Sequence, residues 1–408
     1  LPGWLKTLRK SRTIGRPGEF RPLILDDKNR LYLYRYWDYE NRLSSAIKSR
    51  IKEDIQGIDI SILKNSLNRL FSSNEADQFN WHKVAGVIAA YKKFCVITGG
   101  PGTGKTFTTA KILALLLEQA RKDKPNILLA APTGKAAARI KESIKAAKNT
   151  LNCSDDIIDA IPSDATTIHR MLKTIPGSPY FYHNAENPLT ADIVVVDESS
   201  MVDLALMSKL LSAVKNDARI ILIGDRDQLA SVEAGFVMAD ICDRDNVHLF
   251  SEYFYQQFEK LTQCKMEVSS KRLKDSPGLY DCMVVLKKSY RFTDTSGIGE
   301  CSRAVNNGKF VETFSILKSN SHQIDWKKIS GPDDLSVALP KEVINGYSNF
   351  LSCRDPHRAL ELFNRFRILC AVKFGALGVF EINRLTEEIL NRNGLIELDN
   401  LSTYPWYR

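Results

Sequence analysis

Residues 99–106, GGPGTGKT, constrain the fold of this 408-residue chain more than any other segment, because they separate two apolar segments of different periodicity. Residues 94–98 form a short apolar run typical of a buried strand, and residues 107–119 carry leucine and isoleucine at helical spacing. The glycine-rich turn between them ends in Lys-Thr and fits the phosphate-loop pattern G-x-x-x-x-G-K-[ST], which joins a strand to a helix. The sequence therefore predicts an α/β fold, with a nucleoside triphosphate bound where this strand ends.

The residue types of this loop suit phosphate binding. Glycines allow backbone N–H groups to turn toward a phosphate, and the N-terminus of the following helix adds positive potential. Lys105 is predicted to reach the terminal phosphates, and Thr106 to hold Mg²⁺. An ordinary glycine-rich turn is the alternative, which the Lys-Thr pair and both flanks disfavour. The predicted ATP-binding residues of the loop are Gly99, Gly100, Pro101, Gly102, Thr103, Gly104, Lys105, Thr106 and Phe107.

An acidic pair, Asp197 and Glu198, follows the β-branched segment 193–196. Open α/β sheets bind ligands at the carboxyl ends of their strands. Asp197 is predicted to hold the Mg²⁺ shell, and Glu198 to polarise a water toward the γ-phosphate. The alternative is that the pair caps the following helix near Ser200 and Asp203. With a phosphate loop upstream, the pair predicts nucleotide hydrolysis.

Four further segments extend the pattern, and each is a weak signal alone. Residues 130–135 follow a strand-like segment, and residues 166–170 form a hydroxyl-rich turn with basic neighbours. Gln228 follows the strand-like residues 220–223, where its amide could sense the γ-phosphate. Arg291, in residues 286–292, could reach the nucleotide from a second lobe. The predicted catalytic residues are therefore Lys105, Glu198, Gln228 and Arg291.

In order and spacing these segments resemble the superfamily 1 helicases, and more closely the RecD family, the alpha subunits of bacterial RecBCD helicase-nucleases (exodeoxyribonuclease V). The resemblance covers roughly residues 14–408 and rests on GGPGTGKT, AAPTGKAAAR, VVVDESSMVD, GDRDQLASVEAG and KSYRF…SGIG. It implies RecA-like motor lobes that translocate 5′ to 3′ on single-stranded DNA with ATP and Mg²⁺. It also implies RecB-like and RecC-like partners and duplex DNA ends as substrate. The residues that it places on the DNA backbone are Pro132, Thr133, Lys135, Thr167 and His169.

Two departures limit what the resemblance implies. Family members usually have Trp-Gln-Lys upstream of the loop, with the glutamine contacting adenine, whereas this chain has Trp81-His82-Lys83. An imidazole cannot pair bidentately as an amide does, so the resemblance places His82 at the base but leaves adenine selectivity open. The later Ser-Gln-Gly and Thr-Arg-Ala motifs do not occur before Arg408. We therefore expect an incomplete second lobe that binds Mg-nucleotide but hydrolyses it slowly, and the start at Leu1 suggests that earlier residues are absent.

Bulk composition agrees with this assignment without establishing it. The chain has 57 Lys and Arg against 48 Asp and Glu, a net charge of +9, which favours a polyanionic partner. No apolar run approaches the roughly 20 residues that span a bilayer, and the first residues do not form a signal peptide. The eight cysteines lack metal-ligand spacing, which indicates reduced thiols in the bacterial cytoplasm. No cluster of acidic residues outside the ATP site indicates a nuclease.

The chain is predicted to have three parts. Residues 1–75 form a small α+β domain with a hairpin at 22–34. The resemblance implies that this domain docks on a partner. Its aromatic residues Tyr34, Tyr36 and Trp37 either lie in that interface or pack inside the domain. Residues 76–285 form the first motor lobe, with a polar, irregular excursion at 243–281. Residues 286–408 form a partial second lobe.

An insertion at about residues 174–190 of the first lobe is either a pin that splits duplex or an ordinary surface loop. Its aromatic residues, Tyr180, Phe181 and Tyr182, could stack on bases at a fork.

Three functions remain open at this stage. The chain is a DNA motor subunit, or a subunit that nucleotide only clamps onto its complex, or a stand-alone helicase similar to RecD. The last is disfavoured because residues 1–75 leave little room for the long helix-hairpin-helix region that such proteins carry.

Overall fold

The computed structural model describes residues 2–52, 54–72, 79–120, 123–229, 231, 233–242, 248–266, 278–291, 296–319, 323–329 and 331–397. These residues belong to two compact units, Leu1–Asn306 and Asn307–Arg408. The predicted boundaries near residues 75 and 285 do not coincide with this division, because residues on both sides of each pack into the first unit.

The first unit is built around a six-stranded parallel sheet, and a small three-stranded sheet lies near its N-terminus. The strands are β1 Ile14–Gly15, β2 Leu23–Leu25, β3 Leu31–Leu33, β4 Phe94–Gly99, β5 Ile127–Ala131, β6 Ala165–Thr167, β7 Ile193–Val196, β8 Arg219–Gly224 and β9 Met283–Leu286. In the large sheet their order is β6-β5-β7-β8-β4-β9. All of its strands pair in parallel, which confirms the predicted α/β class.

Helices cover both faces of the large sheet, as parallel sheets require. The helices of the first unit are α1 Pro2–Lys10, α2 Tyr34–Ile51, α3 Ile60–Leu70, α4 Trp81–Tyr91, α5 Lys105–Gln119, α6 Gly134–Lys148, α7 Asp155–Ala160, α8 Ile168–Leu172, α9 Leu204–Ala213, α10 Val237–Ile241, α11 Glu252–Thr262 and α12 Gly297–Asn306. One core cluster joins α3, α4, α5 and α11 to one face of the sheet. A second joins α2 and α9 to the other face.

The N-terminal residues belong to this unit because they complete its core. The predicted hairpin is confirmed as the antiparallel pair β2 and β3. Leu43 and Ile47 of α2 are buried in the same cluster as α9. The buried Arg50 guanidinium donates to the carbonyl oxygens of Val214 at 2.7 Å and Leu211 at 3.3 Å, so it caps the C-terminal end of α9. These residues therefore have a packing role, while partner docking stays a prediction.

The segment predicted to be irregular at 243–281 contains a helix, so that prediction is wrong for residues 252–262. Ser251 caps α11 by accepting a hydrogen bond from the Phe254 N–H, and the buried Asp281 accepts from the Ser251 N–H and hydroxyl at 2.7 Å each. Phe250, Phe254 and Phe258 are buried in the core. Their spacing of four residues is the helical signal that the surrounding polar residues concealed. Residues 243–247 and 267–277 lie outside the described residues.

Residues 174–190 form a short loop held by its own backbone. Thr174 and Phe181 form an antiparallel bridge, and the Tyr182 N–H donates to the Lys173 carbonyl at 2.9 Å. Phe181 is buried in the core beneath the sheet, whereas Tyr180 and Tyr182 are 71% and 56% exposed. Only the two tyrosines are therefore available for stacking on a base, and Phe181 is not.

The described residues of the second unit form helices only. They are α13 Phe310–Lys318, α14 Pro332–Ala338, α15 Pro340–Leu351, α16 Pro356–Phe363 and α17 Val379–Arg392. Val343, Ile389, Leu390 and Ile396 form its small core. The hydrophobic periodicity of residues 310–317, 344–366 and 381–391 predicts helices there, and the structure confirms them, with a break between α15 and α16. Assignment of this unit to a partial motor lobe stays a prediction. No described helix combines the length and the apolar character needed to cross a membrane.

Candidate active site

The carboxyl ends of the central strands bring the predicted residues to one edge of the sheet. Because β4 lies between β8 and β9, the loop at 99–106 is flanked by the segments that follow those two strands. The segment after β8 carries Gln228, and the segment after β9 carries Arg291. Asp197 and Glu198 follow β7, which adjoins β8. The parallel topology, and not proximity in sequence, assembles this site.

The loop has the backbone shape of a phosphate cradle. Gly102 and Gly104 adopt left-handed conformations with φ of +77° and +78°, which side chains with a Cβ rarely adopt. Thr103 is buried and donates to the Gly100 carbonyl at 2.9 Å, which holds the turn closed. Helix α5 begins at Lys105, so its first N–H groups face the loop. The Lys105 ammonium donates to the carbonyl oxygens of Gly99 at 2.6 Å and Gly100 at 3.0 Å.

Residues 289–291 lie directly on this loop. The Tyr290 N–H donates to the Gly102 carbonyl at 2.8 Å, and the Ser289 hydroxyl donates to the Pro101 carbonyl at 3.0 Å. A Cβ at Gly102 would lie 2.4 Å from the Arg291 Cβ. Arg291 therefore belongs to the same compact unit as the loop, whereas the sequence suggests an approach from a second lobe.

The acidic pair has two distinct environments. Burial raises the pKa of Asp197 to about 6. Three contacts act in the opposite direction and lower it: a hydrogen bond from the Glu198 N–H, the charge of Lys105 and a hydrogen bond with the Thr106 side chain. Glu198 is a non-glycine residue in the left-handed region, with φ of +52°. Such a conformation costs on the order of 1–3 kcal/mol and persists only where neighbours impose it. Here the Glu198 N–H is held by the Asp197 carboxylate at 2.8 Å.

The Asp197 and Thr106 oxygens are hard ligands of the kind that Mg²⁺ prefers. Two protein oxygens suit this ion, which usually keeps several waters and binds substrate phosphates through its remaining positions. In the described part of the chain, no group of three or more His, Cys, Asp or Glu side chains could hold a metal by itself. The donor set therefore fits a Mg²⁺ ion that arrives with a nucleotide.

Gln228 lies beside this pair on the neighbouring strand end. Its side-chain oxygen accepts a hydrogen bond from the Ser200 hydroxyl at 3.2 Å, and its backbone N–H donates to the Asp225 carbonyl at 3.2 Å. The Arg226 N–H donates to the Thr98 hydroxyl at 3.0 Å, which ties this segment to β4. Gln228 itself is exposed, so its amide is accessible to a ligand on the loop.

A cavity of about 630 Å³ opens beside Gly104. Ring systems supply much of its wall, and lysines supply its positive charge. The Lys111 ammonium lies 4.7 Å from the Phe107 ring centroid, and Lys287 lies 5.3 Å from that of Trp81. Its lining residues are Phe71, Ser72, Phe79, Asn80, Trp81, His82, Gly104, Phe107, Thr108, Lys111, Leu286, Lys287, Lys288 and Tyr290.

His82 is fixed at the wall of this cavity. Its Nδ1 lies 2.6 Å from the Thr108 hydroxyl oxygen, and Trp81 beside it stacks on His248 with ring centroids 3.5 Å apart. Burial, followed by the charge of Lys111, lowers the pKa of His82 to about 4. His82 is therefore neutral at physiological pH. Sequence patterns did not find Asn80, Thr108 or Lys111, although Asn80 accepts from the Lys83 N–H as the cap of α4, a recognisable start signal.

The predicted DNA contacts lie at the far edge of the sheet, where β5 and β6 end. The Thr133 and Thr167 hydroxyls cap α6 and α8, accepting from the N–H groups of Ala136 and Arg170 at 3.2 Å each. Lys135 and His169 are exposed beside them, and Pro132 precedes Thr133. Two helix N-termini with exposed basic side chains therefore face the same edge, an arrangement suited to phosphates.

A family model described as an AAA domain matches residues 83–234, which contain the loop and the acidic pair. The chain is 33% identical over 404 residues to the RecBCD enzyme subunit RecD of Haemophilus influenzae, covering 92% of this chain and 61% of that protein. It is 30% identical over 408 residues to RecD of Buchnera aphidicola subsp. Acyrthosiphon pisum, covering 99% and 66%.

A further RecD, from Buchnera aphidicola subsp. Schizaphis graminum, is 30% identical over 418 residues, covering 99% of this chain and 67% of that protein. The chain thus spans three fifths to two thirds of the length of these curated relatives. Several proteins with the same name, RecD, match almost the whole chain, and this agreement assigns its family. The chain belongs to the family of RecD subunits of RecBCD enzymes.

Proposed function

We propose that this chain is an ATP-dependent 5′ to 3′ DNA helicase or translocase subunit of a RecBCD-type complex that processes double-strand DNA ends in the bacterial cytoplasm. The observation that carries the proposal is the convergence of Lys105, the Asp197 and Glu198 pair, and Arg291 on one phosphate-shaped loop. These groups are the parts that phosphoryl transfer to water requires.

The roles follow from where each group lies. The backbone N–H groups of residues 102–106 bind the β-phosphate, and Lys105 exchanges its carbonyl partners for the γ-phosphate oxygens. Thr106 and Asp197 would hold Mg²⁺, which would neutralise charge on the phosphates. Glu198 orients and polarises the attacking water, Gln228 contacts the γ-phosphate, and Arg291 stabilises the charge that develops there. The base occupies the aromatic cavity beside Gly104.

The DNA substrate is inferred from the opposite edge of the sheet. Thr133, Lys135, Thr167 and His169 offer hydroxyls, helix N-termini and positive charge, which suit contacts to a DNA backbone. The net charge of +9 supports a polyanionic partner. Binding is therefore sequence-tolerant and salt-dependent. RecB-like and RecC-like subunits complete the assembly, as the names of the relatives suggest.

ATP turnover of the complete subunit, with and without single-stranded DNA, tests the proposal. A motor couples hydrolysis to DNA, so single-stranded DNA raises turnover, and Glu198→Gln removes the stimulated rate. If Mg-ATP binds but DNA leaves turnover unchanged, the nucleotide only clamps the subunit in its complex, and the motor assignment is wrong.

A further inference from the structure

The edge of the base that faces His82 can be deduced from the hydrogen bonds of one hydroxyl. His82 lines the cavity beside the loop, and its Cε1 lies 3.5 Å from the position of a Cβ on Gly104. A base held in this cavity therefore lies within reach of the imidazole. This inference rests on the proposed function, because it concerns the nucleotide that occupies the loop.

The Thr108 hydroxyl has one proton and two neighbours. Its oxygen lies 2.9 Å from the Gly104 carbonyl oxygen and 2.6 Å from His82 Nδ1. The carbonyl can only accept, so the hydroxyl proton must go there. If Thr108 donated to Nδ1 instead, two oxygen lone pairs would face each other at 2.9 Å. Both contacts are satisfied only when Nδ1 carries the imidazole proton and donates it to Thr108.

This arrangement leaves the second ring nitrogen as an acceptor. A neutral imidazole has one N–H, so a proton on Nδ1 leaves a lone pair on Nε2. The lowered pKa of His82 keeps the ring neutral. Among the residues that the structure describes, Nε2 has no hydrogen-bond partner and is not a buried unpaired atom. Because His82 lines the cavity, this acceptor is available to a donor on a ligand held there.

We propose that His82 selects the base by accepting one hydrogen bond from an exocyclic amino group, N6 of adenine, and makes no use of N7. Guanine presents the O6 acceptor at the same position, so two lone pairs would face each other and GTP is disfavoured. Thr108 is a positioning residue, because it acts on the base only through the tautomer of His82. The site favours a base with an amino group on this edge and tolerates loss of the purine N7.

Competition against a fluorescent ribose-labelled ATP, with Mg²⁺ and the full chain, measures these preferences. We expect 7-deaza-ATP, which lacks N7, to bind within about twofold of ATP. Purine riboside triphosphate, which lacks the amino group, loses one hydrogen bond and binds about fivefold more weakly. GTP binds about 10- to 100-fold more weakly, because it also leaves two acceptors opposed. A loss of fivefold or more with 7-deaza-ATP, or equal binding of ATP and purine riboside triphosphate, overturns the proposal.

Three substitutions in α5 isolate the tautomer. Thr108→Val removes the acceptor for Nδ1, so the proton can move to Nε2 and be donated to guanine O6. The GTP penalty, meaning the loss of affinity for GTP relative to ATP, then falls to about threefold or less. Thr108→Ser keeps the hydroxyl and the penalty. Thr109→Val is the matched control, because Thr109 makes the same contact one position later, with the Lys105 carbonyl at 2.9 Å, and does not contact His82. An unchanged GTP penalty in Thr108→Val contradicts the proposal.

His82→Phe tests whether this ring alone reads the amino group. It keeps a planar ring but no acceptor, so ATP and purine riboside triphosphate should bind equally, and a persistent preference for ATP would assign the amino group to another residue. Failure of Mg-ATP itself to bind the wild-type chain would instead overturn the proposed function. The two failures are therefore distinguishable.

Discussion

The two ends of the candidate site are built by different means. The proposed phosphate end is a contiguous turn that would bind through its backbone N–H groups, with Gly102 and Gly104 in the left-handed region. The base end is a cavity of side chains from three separated segments, represented by His82, Lys111 and Tyr290. The first depends on chain shape and tolerates few residue types. The second depends on which side chains the fold brings together, so it can vary while the loop stays the same.

This difference explains why a chain can keep its chemistry and change its base contact. His82 stands where the related family usually has glutamine, yet the loop beside it has its full set of residues. On the proposed function, chemistry at the γ-phosphate depends on Lys105 and Glu198, neither of which lines the cavity proposed for the base. Substitutions at the two ends should therefore affect different measurements.

Lys105→Ala should have the largest effect. On the proposed function the ammonium moves to the terminal phosphates, and removal of one such transition-state donor lowers turnover by about 10²–10³-fold. The fold should survive, since within the described residues the Lys105 ammonium hydrogen-bonds only to the Gly99 and Gly100 carbonyls of its own loop. Steady-state ATP turnover and circular dichroism measure the two effects. Turnover at the wild-type rate would show that Lys105 does not act on the terminal phosphates.

Glu198→Gln should lower turnover while leaving nucleotide affinity unchanged. The amide keeps the size of the side chain but cannot polarise a water as a carboxylate does, whereas the proposed Mg²⁺ ligands, Thr106 and Asp197, are unchanged. We expect a loss of about 10²-fold or more in turnover, with Mg-ATP affinity within about twofold of wild type. Calorimetric titration with Mg-ATP gives the affinity. Loss of binding would make Glu198 a metal ligand or a structural residue.

Gly102→Ala should destabilise the folded chain through the contact between the loop and residues 289–291. The new methyl would lie 2.4 Å from the Arg291 Cβ at a φ of +77°, a strain of about 1–3 kcal/mol. Thermal unfolding without nucleotide measures this loss. Gly100→Ala is the matched control, because a Cβ there meets nothing within 4 Å and its φ lies outside the left-handed region. Equal melting temperatures for the two variants would show that residues 289–291 do not rest on the loop.

The ratio of GTP to ATP affinity should be constant between pH 5.5 and 8.5, which is the smallest expected effect. The pKa of His82 is lowered to about 4, so the ring stays neutral throughout this range. With an ordinary histidine pKa near 6.5, protonation of Nε2 at pH 5.5 would let the ring donate to guanine O6 and improve GTP binding. A ratio that shifts toward GTP as the pH falls would show that His82 is not held neutral.

The sequence was most informative where the backbone performs the function. The run 193–196 coincides with β7, and the loop lies between β4 and α5 as its flanks predict. Local hydrophobic periodicity predicts whether each of these segments is a strand or a helix, because its apolar side chains are buried on both faces or along one continuous stripe. Contacts between distant segments were not predictable in this way. The bond from the Tyr290 N–H to the Gly102 carbonyl and the contact of His82 with Thr108 depend on tertiary packing alone.

Two errors have the same origin. Helix α11 was missed because its polar residues dominate the local composition, although its phenylalanines are buried against the sheet. Phe181 was grouped with Tyr180 and Tyr182 as an exposed aromatic, but alternation along the loop turns it into the core. Burial is a property of the assembled fold, so adjacent aromatic residues of similar character can have opposite roles.

A crystal structure of the chain with Mg²⁺ and a non-hydrolysable ATP analogue tests the central claim, that one nucleotide spans both ends of the site. We expect the β-phosphate among the N–H groups of residues 102–106, and the Lys105 ammonium moved from the Gly99 and Gly100 carbonyls to the γ-phosphate. Adenine N6 should lie about 3 Å from His82 Nε2. Phosphates bound away from the loop, or a base outside the cavity beside Gly104, would contradict the account.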